Sequence, residues 1–230
     1  MKEYIRESAK RYKIQNLKFY GKPVHILKPI TNDVDIAAVL SDIESKVPKQ
    51  LTGNFEVVYV GDFEFFHEKG RSYNAAFKDG AIYITNKQDD YDDLIDDVVH
   101  EMAHSIERQS KYNDIIYNDG LIEKEFLGKR KYLFHILDEP MDMMLDYLNP
   151  EYDKKFDNYL YKNIGYDKLR GITHSLFFSP YAITALKEYW ANGFENYVVG
   201  DYEARKKLKE ISPELFKKIE QILNLDDEEE

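Results

Sequence analysis

Cysteine is absent from the 230 residues, which excludes a disulfide framework, a thiolate metal site and a cysteine nucleophile. Long hydrophobic runs are missing too. The opening MKEYIRESAKRYKIQNL never places three hydrophobic residues together, so no secretory h-region is expected, and no window approaches a transmembrane span. Positive charge is also in deficit: 32 Lys and Arg stand against 43 Asp and Glu, giving a net charge of −11 and a pI near 5.1. Nucleic acid and anionic membranes would repel such a chain, so neither is an expected partner. No internal repeat and no low-complexity linker forces a domain boundary. The expectation is a cytoplasmic protein with selected partners.

What is present is enough for one well-buried domain with additions, at 43% hydrophobic content. The expected division is an N-terminal extension over 1–50 whose helices pack on a main domain over 51–225. An acidic, disordered tail over 226–230 completes it. The first 22 residues hold seven basic and two acidic side chains; a charged helix is expected over 2–17, and such a basic arm suits an acidic surface.

Helical spacing recurs over 33–46, with Thr31 to Asp33 able to cap its start and Pro48 after its end. The period then changes. FEVVYV at 55–60 is β-branched and aromatic and reads as a strand, and 63–67 is a further extended candidate. Residues 73–77 and 81–85 flank Asp79-Gly80, a hairpin signal. From Asp92 the period returns to 3.6: Leu94, Ile95, Val98, Val99, Met102, Ala103 and Ile106 line one face, and aspartates crowd the positive end. Helices are expected over 121–137, 140–148, 152–161, 185–199 and 213–223, the last capped by Ser212-Pro213. The fold class is therefore α+β, a small mixed sheet followed by one buried helix and a mostly helical C-terminal half.

That helix contains His100-Glu101-Met102-Ala103-His104. Residues four apart share a helix face, with Cβ atoms roughly 5–6 Å apart, so the two imidazoles can converge on one zinc ion. Glu101 lies about 100° round the helix from His100, near enough to reach a metal-bound water without being a ligand. A catalytic zinc needs a third protein ligand and an open position. The extended HExxHxxGxxH pattern does not supply it, because Glu107 and Ser110 stand where it needs glycine and histidine. Two candidates remain: Glu123, with 18 residues between it and His104, and Glu188, near the start of a helix that Thr184 can cap. His25, His67, His135 and His174 have no motif partners and are expected to be structural or exposed. The 19 tyrosines are expected to pack with their hydroxyls at the rim.

Around Glu188 the sequence reads SPYAIT at 179–184 and EYWANGF at 188–194. Here the chain resembles the zinc peptidase domain of anthrax lethal factor and its relatives, in which a tyrosine seven residues before a glutamate sits across the metal from the histidine pair. The resemblance covers mainly 73–108 and 179–223. It implies a zincin-like metallopeptidase domain with a zinc ion held by His100, His104 and Glu188, Glu101 as general base and Tyr181 as oxyanion stabiliser. The implied activity is hydrolysis of peptide bonds, with a protein or peptide substrate paired along an edge strand, for which 81–85 and 63–67 are the candidates. Asn192 departs from the pattern, which has a second glutamate there, and that bears on metal affinity and rate. Two other readings stand beside this one: an inactive interaction protein on the same fold, and a zinc hydrolase acting on a non-peptide amide.

Overall fold

The computed structural model describes residues 16–52, 54–70 and 74–225. Residues 1–15, with most of the basic arm and of the helix expected at 2–17, lie outside these residues, as does the acidic tail. Among the described residues the chain is mixed α and β and mostly helical, with one five-stranded sheet and ten helices. It divides into two compact units, Met1–Gln109 and Ser110–Glu230. The segment expected as an extension contributes two strands and a helix to the first unit.

In that first unit, strands β1 (Lys18–Phe19) and β2 (Lys22–Ile26) form a hairpin. Helix α1 (Ile36–Lys46) then crosses to β3 (Val57–Gly61), which pairs parallel with β2. Its start is capped by Asp35, whose carboxylate accepts from the N–H groups of Ala37 and Ala38. Thr31 to Asp33, the expected cap, instead form a short 3-10 turn. After a further 3-10 segment (Glu64–Gly70) come β4 (Ala75–Lys78) and β5 (Ala81–Thr85). Asp79 and Gly80 both take positive φ, at 51° and 76°, the geometry of a tight two-residue hairpin.

The sheet order is β1-β2-β3-β5-β4. This corrects the candidates for an edge strand. Ala81–Thr85 is an inner strand, paired parallel with β3 and antiparallel with β4. Residues 63–67 run into a 3-10 turn rather than a strand. The edge beside β5 belongs to β4, because β5 is drawn inward between two partners. One face of the sheet buries Val24, Val58, Val60, Ile82 and Ile84; the other stacks His25 on Tyr59 and Tyr59 on Tyr83 across three strands.

Helix α2 (Tyr91–Glu107) packs on β4, β5 and α1. Its seven expected apolar positions are all at most 2% exposed. At roughly 1.5–3 kcal/mol for each fully buried side chain, the gross stabilisation is on the order of 10 kcal/mol, far above any helix propensity. Asp90 caps the start by accepting from Asp93 N–H at 2.9 Å.

The second unit holds α3 (Ser110–Tyr117), α4 (Leu121–Ile136), α5 (Met144–Tyr147), α6 (Lys154–Tyr159), α7 (Tyr166–Thr173), α8 (Leu186–Val198), α9 (Tyr202–Ile211) and α10 (Pro213–Leu223). Helix α8 is its centre, burying Trp190, Ala191 and Phe194 completely against α4, α9, α10 and the turn before it. Some tyrosines are buried more deeply than expected, Tyr112, Tyr147 and Tyr189 among them. Tyr147 is fully buried and donates to Glu139, while Tyr152 and Tyr166 donate to the two oxygens of the buried Asp157.

Candidate metal centre

The buried face of α2 determines which way its polar residues point. With Leu94, Val98, Val99, Met102 and Ala103 held inward, His100 and His104 emerge one turn apart, both half-buried. Their ring centroids are 5.1 Å apart and the planes cross at 75°. Glu101 is 8% exposed, and its Oε2 accepts the main-chain N–H of Phe77, in β4, at 2.5 Å. That N–H is available because of the hairpin's register. Thr85 N–H donates to Asn74 O, so in the alternating antiparallel ladder the polar groups of Ala76 and Lys78 turn to β5. Those of Ala75 and Phe77 turn away from it.

Glu188 lies in the first turn of α8. The expected cap does not form: Thr184 Oγ1 donates instead to Tyr181 O at 2.8 Å, and Ala185 occupies the capping position without a side-chain bond. One exposed donor of this helix is satisfied by a different route, since Leu186 N–H donates to Pro150 O at 2.8 Å. The 146–150 segment is held in turn by Arg130 of α4, which is 0% exposed. Its guanidinium donates to Asn149 O at 2.7 Å and Asp146 O at 2.6 Å, and lies over the rings of Phe126 and Phe156. Arg130 therefore anchors the strip of chain on which the start of α8 rests.

The next residue, Tyr189, ties α8 to its neighbours. Lys129 donates to Tyr189 Oη and to Ser212 Oγ at 2.6 Å each, and Tyr189 donates to Glu125 at 2.8 Å. Burial pushes the Lys129 ammonium down to about 8, against the nearby charge of Glu125. Glu125 also accepts the N–H groups of Glu214 and Leu215, so it caps α10, the role expected of Ser212. Ser212 holds the capping position without capping because its hydroxyl is engaged by Lys129.

One donor atom from each of His100, His104 and Glu188 lies within 4.8 Å of the others. A metal ion fits them. Two imidazoles and one carboxylate are the donor set of a zinc site with three protein ligands, and none of the three side chains is sealed from solvent. Glu123 is exposed in the first turn of α4 and is not in this cluster. No known protein family, curated protein or solved structure matches the chain.

The remaining expected site residue, Tyr181, is half-buried in a 3-10 turn (Tyr181–Ile183) that packs against α8. Asn192, one turn beyond Glu188, is 8% exposed and its amide lies 3.4 Å from a Glu195 carboxylate oxygen.

Other polar groups around α2 were not anticipated. Asp97 accepts from the Gln88 amide at 3.1 Å; burial raises its carboxyl to about 8, opposed by that bond and reinforced by the charges of Asp93 and Glu101. Glu107, 3% exposed, has Oε1 3.3 Å from His104 Nδ1. The available sequence signal was its place three residues after His104, on the same helix face.

Proposed function

We propose that the chain is a zinc-dependent metallopeptidase of the lethal factor-like, HExxH zincin type, hydrolysing peptide bonds of a protein substrate. The observation that carries this reading is the gathering of His100, His104 and Glu188 within 4.8 Å, in a sequence that places Glu101 directly after the first histidine. A purely structural metal site needs no such glutamate. Further support comes from the tyrosine seven residues before Glu188, the spacing of the lethal factor-like pattern.

Bound there, zinc would lower the pKa of a coordinated water toward about 7 and polarise the scissile carbonyl. His100 and His104 supply neutral imidazole nitrogens and Glu188 a carboxylate oxygen. Glu101 accepts the proton of the attacking water and delivers it to the leaving amine. Phe77 N–H, on Oε2, limits the rotation of that carboxylate and so holds it ready for both transfers. The Tyr181 hydroxyl donates to the oxyanion, a contribution of about 3 kcal/mol where such donors have been removed in other enzymes. The outward main-chain groups of Ala75 and the Phe77 carbonyl on β4 pair with an extended substrate, giving affinity with little sequence preference.

The test combines metal analysis of purified protein with a proteolysis screen of wild type against Glu101→Gln. Stoichiometric zinc and cleavage lost in the variant are expected. Absence of zinc, or equal cleavage by both proteins, overturns the assignment.

A further inference from the structure

We infer that Glu107 is the positioning residue of His104: its buried carboxylate holds Nδ1–H and thereby makes Nε2 the nitrogen that His104 offers to a metal ion. The inference rests on the metal-centre reading of the same site and adds what sets one ligand's tautomer and ring orientation.

Glu107 closes the last turn of α2, three residues after His104, so the two side chains lie on one face of the helix. Glu107 Oε1 is 3.3 Å from His104 Nδ1, and the carboxylate side chain is 3% exposed against 17% for the imidazole. A carboxylate so deeply buried is costly without donors, and an imidazole N–H is a donor of the right kind. A neutral histidine carries its proton on either nitrogen, and the partner of one nitrogen decides which is left to ligate. With the proton on Nδ1 facing Glu107, the lone pair for a metal resides on Nε2. The carboxylate also raises the basicity of that nitrogen, as carboxylates behind ligand histidines do. Glu107 occupies the position that is glycine in HExxHxxGxxH, where no side chain could serve this purpose. One of the two residues that exclude the extended pattern from this sequence thus orients the second histidine.

Two measurements test this. In metal-free protein, nitrogen-15 NMR of the histidine rings reads the tautomer directly: His104 is expected in the Nδ1–H form in wild type and in a mixture of both forms in Glu107→Ala. Zinc affinity, by competition with a chelator, is expected to fall about 10- to 100-fold in the same variant. Glu107→Gln keeps an acceptor without the charge and should recover part of both; if Glu107→Ala does not fold, Glu107→Gln set against wild type decides alone, with a smaller shift in each reading expected. Unchanged tautomers together with unchanged zinc affinity in a folded variant overturn the inference. A wild type that binds no zinc sinks the metallopeptidase proposal, whereas the tautomer measurement, made without metal, still decides the role of Glu107.

Discussion

The main-chain N–H of Phe77 donates to the carboxylate of Glu101 at 2.5 Å. A strand that has turned only one row of its polar groups to β5 thus holds the residue beside the first histidine. The bond exists because β4 is an edge strand and because the buried face of α2 directs Glu101 toward it.

Replacing Phe77 by proline removes that donor and no ladder bond, since the Phe77 N–H points away from β5. Phe77→Ala keeps the donor and serves as reference. Phe77→Pro is expected to be less stable than Phe77→Ala by about 1.5–3 kcal/mol, the range for a bond to a charged group. Urea denaturation of the two metal-free proteins measures this; equal midpoints would show that the bond contributes nothing.

Asp97 makes a pH-dependent contribution whose sign is opposite to that of a salt-bridged aspartate. Its carboxyl is raised from the usual 3.8 to about 8, so between those values the folded chain binds more protons than the unfolded one. The stability it contributes is complete at low pH and is lost as pH rises through about 8. For one such group the slope is at most about 1.4 kcal/mol per pH unit. Asp97→Asn removes the ionisation, so the advantage of the metal-free variant over metal-free wild type should grow as pH is raised through this window and then level off. Thermal unfolding across pH checks it; a difference independent of pH would refute the assignment.

Arg130→Met fills much of the same space but leaves Asn149 O and Asp146 O without their donor. Both carbonyls are only part-buried and can turn in part to water, so a loss of about 1–2 kcal/mol is expected, near the net value of ordinary hydrogen bonds to a charged group. Because Leu186 N–H leans on Pro150 O, two residues from Glu188, zinc affinity should fall as well. Arg130→Lys cannot span both carbonyls with one planar group and should not restore either property. Calorimetry and chelator competition on the folded variants measure the two effects, and full recovery in Arg130→Lys would contradict this account.

Between the two candidate third ligands, the cluster includes Glu188 and not Glu123. Glu188→Ala should therefore lose bound zinc while Glu123→Ala retains it, as read by metal content after dialysis. The reverse outcome would move the third ligand to α4.

Short-range physics made much of this protein legible. The buried face of α2, the Asp79-Gly80 turn, and the pair His100 and His104 depend on residues a few positions apart, whose geometry a helix or a tight hairpin dictates. Tertiary structure decided the rest, since it turns on competition among distant partners. Which strand lies at the edge was settled by β5 pairing on both sides. Ser212 lost its capping role to Glu125, 87 positions earlier, because a buried lysine claimed its hydroxyl. Thr184 likewise turned its hydroxyl to the nearby Tyr181 O, and Thr31 lost its expected cap to Asp35. Glu107 shows the boundary between the two. Its spacing from His104 is written in the sequence, but its burial, which gives the contact its strength, is created by the packing of the helix.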